Sequence, residues 1–418
     1  MTATVCLLGT FDTKHEEYVW LRDRLHEAGV DTVLVDVGGY STKGIADVTA
    51  AEVATAAGAD LGRLQDRHDR GAMMEAMADG AAHVVRRLCA RDVIQGFLAV
   101  GGSSGSSVAA AALQALPVGF PKLLVSTMAS GDVRPYVGET DTTLMYSVVD
   151  IAGVNSVSEQ VLGNAAAAAA GMAQAYHRRR AAAARTGSGV PARAVAVTMF
   201  GVTTPAADEA RQALDELGYE TLVFHATGAG GRAMEKLVSS GLIAGVLDLT
   251  TTELADELVG GVLSAGPDRL TAASRRGVPQ VVSVGALDMV NFGPQDTVPD
   301  RFAGRDLLPH NPTVTLMRTT PAEMAELGRL LGAKVTAGGG PSAVFLPLRG
   351  VSAVDVDGGP FRDAEADEAL FRAVRNAVKG SGVELHELDA AINDPGFGRA
   401  AAEELHRLIS FTEEDDAS

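Results

Sequence analysis

A chain of 418 residues, 46% hydrophobic and only 5% aromatic, has enough apolar material for two or three cored domains. Lys and Arg number 35 against 53 Asp and Glu, and the net charge of −18 excludes a general nucleic-acid surface, which needs clustered positive charge. No apolar run reaches the roughly 18 residues of a membrane span. The start, Met1-Thr-Ala-Thr4, has no leader pattern, so a cytoplasmic protein without a membrane partner is expected.

Strands and helices alternate along the chain, which predicts an α/β fold: two open, mostly parallel-sheet, Rossmann-like domains joined by a short linker. In the first domain, residues 1–184, strands are expected near 3–9, 31–37, 94–100, 121–127 and 144–150, with helices near 15–28, 70–91, 104–116 and 156–184. The apolar runs Val5-Cys-Leu-Leu8 and Lys122-Leu-Leu-Val125 are continuous, as in sheets covered on both faces. Cys6 and Cys89 read as buried free thiols, and no Cys/His spacing resembles a zinc site. The basic run His177-Arg-Arg-Arg180 reads as favourable charge at a helix end.

Residues 185–192, Arg-Thr-Gly-Ser-Gly-Val-Pro-Ala, read as the linker. In the second domain, 193–411, strands are expected near 194–200, 220–225, 244–249, 279–284, 313–318, 343–348 and 383–388. Helices fall near 205–217, 231–240, 253–262, 321–332 and 364–379. The acidic tail 412–418 is expected to be disordered. The halves share a loose layout that a duplication, or any two open α/β domains, would produce.

Ligands of open parallel sheets gather where loops leave the carboxyl ends of strands. Gly9-Thr-Phe-Asp-Thr-Lys14, Asp36-Val-Gly-Gly39, Gly101-Gly-Ser-Ser-Gly-Ser-Ser107 and Ser126-Thr-Met-Ala-Ser-Gly-Asp132 fit that place. Glycines bare main-chain N–H groups, a helix start adds donors and a positive dipole end, and serines add hydroxyls, so the Gly-Ser loop suits a phosphate. Lys14 can counter phosphate charge, and Arg70 can reach in as a phosphate or ribose partner. No Walker loop is present. Each segment alone is an ordinary turn with an N-cap; jointly they predict a nucleotide or phosphate site.

The second half supplies another inventory. His225 ends a strand before Gly228, Gly230, Gly231 and Arg232, whose glycines again permit close approach to an anion. Asp248, Asp288, Asn291, His310 and Arg318 lie at further strand ends. His225, Asp248 and Asp288 are the candidates for catalysis, with His225 as general base. Gly228, Gly230, Gly231, Arg232, Asn291, His310 and Arg318 are the candidates for substrate binding. Helix capping by the two aspartates and a surface position for His310 are the structural alternatives. A metal held by Asp248, Asp288 and His310 is another; the reading adopted has no protein-bound metal site.

Taken in order, seven segments resemble the uncharacterised ATP-binding family that contains the tomato mosaic virus resistance protein. They are Gly9 to Lys14, Gly101 to Ser106, Thr198 to Pro205, Phe224 to Glu235, Leu247 to Glu253, Gly285 to Pro294 and Leu316 to Thr320. The resemblance spans about residues 4–400. It implies two α/β subdomains, ATP bound by the first, and a homodimer or larger homo-oligomer. It assigns ATP contacts to Asp12, Thr13 and Lys14, to Gly39, to Arg70, and to Ser103, Ser104, Gly105 and Ser106. Ser106 stands where the family commonly has Thr. Mg²⁺ normally accompanies phosphoryl transfer, with Asp12 and Asp132 as candidate ligands.

The function expected is therefore a cytosolic ATP-binding protein that acts on or senses a small anionic metabolite held by the second domain. The alternatives are an ATP-stabilised regulatory or binding module, or a lyase, hydrolase or isomerase seated in the second domain.

Overall fold

The computed structural model describes residues 2–42, 44–186 and 194–416, which fall into two compact units on either side of the 187–193 segment. The first unit runs β1 (Thr4–Gly9), α1 (His15–Glu27), β2 (Asp31–Asp36), α2 (Ala50–Ala56), α3 (Leu61–Arg67), α4 (Arg70–Ala90), β3 (Gly96–Gly101), α5 (Ser103–Ala115), β4 (Lys122–Ser126), α6 (Arg134–Val137), β5 (Thr143–Tyr146) and α7 (Ser156–Thr186). Its sheet has the order β2-β1-β3-β4-β5, parallel throughout.

Alternation along each strand feeds two cores. Val5, Leu7, Leu98 and Val125 pack with α1 and α7, whereas Cys6, Leu8, Ala99 and Leu124 pack with α4 and α5. Covering both faces is what the continuous apolar strands require. The alanines of α7, among them Ala165, Ala166, Ala169, Ala170 and Ala173, are buried, so this helix lies close on the sheet.

The second unit runs β6 (Ala194–Met199), α8 (Thr204–Glu216), β7 (Glu220–His225), α9 (Ala229–Ser239), β8 (Gly245–Thr250), α10 (Glu253–Val259), α11 (Ala272–Arg276), β9 (Gln280–Gly285), β10 (Met289–Phe292), β11 (Leu307–Asn311), β12 (Val314–Arg318), α12 (Pro321–Thr336), β13 (Ser342–Pro347), α13 (Ala364–Val378), β14 (Glu384–Leu388) and α14 (Phe397–Asp416). Six strands form a parallel sheet in the order β7-β6-β8-β9-β13-β14. Both units are thus α/β with parallel sheets flanked by helices, as expected.

Four expectations need correction. The strand expected at 313–318 pairs instead in a small antiparallel sheet, β10-β12-β11, inserted between β9 and β13. The strand expected at 144–150 stops at Tyr146, because Val148 takes a positive φ of 65° that no strand accommodates. The expected linker begins late: Arg185 and Thr186 continue α7, and the remainder lies outside the described residues. The tail is helical through Asp416, with 417–418 outside the described residues. The signal for α14 was legible, since Phe397, Ala401, Leu405, Leu408 and Ile409 recur at helical spacing and are buried.

Both cysteines are buried and free. Among the described residues no helix is long and apolar enough to cross a membrane.

Helix α4 approaches α2 so closely that a Cβ on Gly80 would sit 2.0 Å from the Val53 carbonyl oxygen. Gly80→Ala should therefore destabilise the protein by about 1–3 kcal/mol through overpacking. Gly171→Ala on α7, whose Cβ would meet nothing within 4 Å, should be neutral or stabilising. Urea midpoints at unchanged slope compare the two.

Candidate functional site

In the first unit β1 and β3 are neighbours, but their following helices pack on opposite faces, so their loops part at the strand ends. Such a switch point is where open α/β sheets hold ligands. Tyr18 fixes its base: its hydroxyl donates to the Leu8 carbonyl at 2.6 Å and accepts the Val100 N–H at 2.9 Å, joining the two strand ends. Gly9 is required there, since a Cβ would fall 2.0 Å from the tyrosine ring.

Above this point lies a cavity of about 560 Å³. Asp12, Thr13, Lys14, Gly39, Arg70, Ser103, Ser104 and Gly105 all line it, and Val37, Met73, Met74 and Met77 form an apolar wall. The loops around it are laced together. Buried Asp36, its carboxyl raised above the usual range by burial, accepts the N–H groups of Phe11 at 3.1 Å and Gly38 at 2.8 Å. Asp12 accepts the Tyr40 N–H at 3.1 Å. Gln65 donates to the Gly39 carbonyl at 2.6 Å. Arg70, held at the start of α4 by its Asp69 N-cap, donates to the Ser104 hydroxyl at 2.9 Å. Lys14 donates to the Ile151 carbonyl.

Helix α5 starts at the cavity with Gly102 as N-cap and no side-chain cap bond, and its first helical bond runs from Ser106 to Gly102. The amides of Ser103, Ser104 and Gly105 therefore have no intrahelical acceptor. A Cβ on Gly105 would meet no atom within 4 Å. Ser106 is placed differently from expectation. It is buried, outside the cavity lining, and its hydroxyl lies 2.6 Å from that of Ser126. Asp132, a suggested Mg²⁺ ligand, is also outside the lining and is engaged bidentately by Arg134.

The second unit has a comparable divergence at β6 and β8, and β7, on the other side of β6, leads into the glycine loop of 228–231. Here the anion that the glycines approach belongs to the chain itself. The Gly228 and Gly231 N–H groups donate to Glu253 at 2.6 and 3.1 Å, and a Cβ on Gly231 would lie 2.2 Å from that carboxylate. Glu253 in turn accepts from Arg269, a fully buried guanidinium that also forks onto Asp248. Asp248 accepts the Thr198 hydroxyl at 2.8 Å. Glu235 completes the network, 3.4 Å from Arg269, and accepts three N–H groups at the start of α11. Asp248 is thus an internal counterion, not an exposed acid. Neither Arg269 nor Glu253 was a sequence candidate, since each takes its role from partners 16 or more residues away that only the fold brings together.

A second buried network surrounds Arg318. It donates to the Phe361 carbonyl at 2.7 Å and to Asp367 at 2.8 Å, and lies 3.6 Å from Asp355. Arg362 joins it at Asp367. Asp288 accepts the Ser352 hydroxyl at 2.8 Å, while its other oxygen and one of Asp355 are buried without a hydrogen-bond donor. Burial raises the carboxyls of Asp288, Asp355 and Asp367 above their ordinary range, and their mutual repulsion pushes Asp355 further. Asn291 donates to buried Asp256 at 2.7 Å, and burial pushes that carboxyl up to about 7.

The remaining candidates are dispersed. His225 is exposed at the end of edge strand β7, 5.4 Å between ring centroids from Phe200. Gly230 packs on the His225 carbonyl, where a Cβ would come within 2.0 Å. Arg232 donates to the Ser264 carbonyl at 3.1 Å. His310 is exposed on β11. Asp248, Asp288 and His310 do not form a ligand set. Among the described residues the metal-like grouping is Glu384, His386 and Glu404, and Arg407 already bonds both glutamates.

Comparison with known proteins gives matches over nearly the whole chain. Residues 3–178 match the N-terminal domain, and residues 192–409 the C-terminal domain, of an uncharacterised protein family, UPF0261. A UPF0261 protein of Clostridium tetani is 48% identical over 410 residues, covering 98% of this chain and 100% of its own. One from Rhizobium meliloti is 47% identical over 398 residues, covering 95% and 97%. The ToMV resistance protein Tm-1 of Solanum lycopersicum is 39% identical over 415 residues, covering 95% of this chain and 54% of that protein.

Arg269→Met should cost about 3–5 kcal/mol, because it leaves buried Asp248 and Glu253 without their counterion; chemical denaturation measures it. The raised carboxyls set a pH dependence. A folded-state pKa above the unfolded value gives stability that is full below the unfolded pKa and is lost as pH rises through the folded one. The Asp288–Asp355 pair should therefore weaken the protein from the ordinary carboxylate range upward through neutrality. Asp355→Asn should flatten that decline in melts taken across pH.

Proposed function

The chain belongs to the UPF0261 family, and on that footing we propose that its first unit binds a nucleotide, ATP, in the cavity between β1 and β3. One observation carries the reading. Eight of the nine residues named for ATP, all but Ser106, line a single cavity at the switch point of a parallel sheet. The residues suit a nucleotide in kind as well as in place. The uncapped start of α5 offers amides and a positive dipole end to phosphates, and Lys14 and Arg70 add charge. Val37 and the three methionines offer an apolar surface to a base. Asp12, a carboxylate of the lining, would be the candidate ligand for a Mg²⁺ ion, Asp69 being committed to its cap.

Bound ATP would supply a transferable phosphoryl group; the chain would contribute positioning and charge neutralisation. The second unit favours binding without turnover. Asp248 and Asp288, the acids named for catalysis, lie inside buried ion networks, and the 228–231 amides are taken by Glu253. A role for that unit in acting on or sensing an anionic metabolite rests on exposed His225 beside Phe200.

Gly105→Val tests the cavity directly. Its side chain would enter open space, so the variant should fold as the parent does while titration calorimetry with ATP and Mg²⁺ shows no binding. Arg70→Ala should weaken binding by about 1–3 kcal/mol, as for loss of a charged hydrogen-bonding partner. Unchanged affinity in both variants would remove ATP from this cavity.

A further inference from the structure

The segment between β5 and α7, residues 147–155, crosses back to the loop that follows β1. Two residues at the start of α1 hold it there. The Lys14 ammonium donates to the Ile151 carbonyl, and the buried Glu17 carboxylate accepts the Gly153 N–H at 2.7 Å. Its beginning is tied to a third place, since the Ser147 N–H donates to the Ser126 carbonyl at 3.3 Å. Ser126 is itself joined to Ser106, on the first turn of α5, through the 2.6 Å contact of their hydroxyls.

Both attachments therefore lead to the walls of the cavity. Lys14 lines it, and Ser106 follows directly on Ser103, Ser104 and Gly105, which line it as well. Between the attachments the strap is strained. Val148, β-branched and 60% exposed, has a φ of +65°, and the next amide closes a tight turn onto Ser147 at 2.7 Å. A β-branched residue keeps such a backbone only while its surroundings impose it.

We propose that this strap reports occupancy of the cavity. A lysine ammonium has three donors and no acceptor, so Lys14 can hold a polyphosphate and the Ile151 carbonyl at once. Anion binding then fixes Lys14 and the first turn of α5 together, tightens the strap at both ends, and carries the change to the start of α7 at Ser156. The free protein holds the strap through the same contacts with its lysine unsupported on the cavity side. The coupling rests on the nucleotide reading above, and Lys14 acts in it as a positioning residue.

Hydrogen exchange of the intact chain tests this, with calorimetry in parallel to establish binding. The probes are ATP with Mg²⁺ and inorganic tripolyphosphate, which isolates the anion. Both should slow exchange of the Val149, Ile151 and Gly153 amides by at least about fivefold, the lower end of ordinary coupling between sites. Binding of ATP with unchanged strap exchange overturns the strap proposal and leaves the nucleotide reading standing. Absence of binding by either probe overturns both. Glu17→Gln, outside the cavity lining, should speed strap exchange in the free protein and weaken ATP binding about fivefold. A loosened strap with unaltered affinity also overturns the coupling. Should that variant fail to fold, the comparison of ATP and tripolyphosphate on the parent protein decides alone.

Discussion

Two parallel strands whose crossovers leave on opposite faces of the sheet cannot keep their loops together, and the first unit is organised around that parting. Tyr18 bonds both strand ends just below the split, and Gly9 gives its ring room. From there one loop turns into α1 with Lys14, and the other turns into α5 with Ser103 to Gly105. The cavity follows from this divergence. The lysine, the bared amides and the methionine wall reach one space only because the sheet order brings their loops side by side.

The second unit starts from a similar strand order and reaches an opposite result. Its glycine loop also offers main-chain donors near the N-terminus of a helix, yet a carboxylate of the chain, Glu253, occupies them. Burying that charge is costly unless it is met, and Arg269 meets it together with Asp248 and Glu235. Arg318 plays the corresponding part for Asp367 and Asp355. Two guanidiniums thus hold several buried acids at the carboxyl ends of the strands. Residue types that make an active-site inventory there make a closed, ion-paired interior instead.

The contrast bears on how glycine-rich loops are read. Gly105 and Gly231 both lie in the first turn of a helix beside parallel strands, and neither places a Cβ there. A Cβ on Gly105 would project into open space, whereas on Gly231 it would strike Glu253. The first loop is available to a ligand and the second is already engaged. Sequence cannot separate these cases, because Glu253 lies 22 residues beyond Gly231 and meets it only when β8 is laid beside β6.

Most of the architecture was legible locally. Apolar runs bounded by glycine and caps located the strands of the two parallel sheets and most long helices, but not β10 and β11, since backbone periodicity is a short-range property. α14 was legible too, in the spacing of Phe397, Ala401, Leu405 and Leu408, but an acidic terminus masked it. The residues that line the first unit's cavity were legible because strand-end loops with Gly, Ser and Lys carry their chemistry in their own backbone. Local pattern could not determine which charges would be neutralised internally. Arg269, Asp355 and Asp367 acquire their roles from partners tens of residues away, through packing that removes water from all of them together. The chain by itself thus determined the strands of the two parallel sheets, most of the long helices and the glycine-serine loop that opens α5. Tertiary structure alone decided that Ser106 turns inward, that β12 leaves the main sheet, and that the second unit's acids are buried. Electrostatic pairing in a dry interior depends on position in space and not on spacing along the sequence.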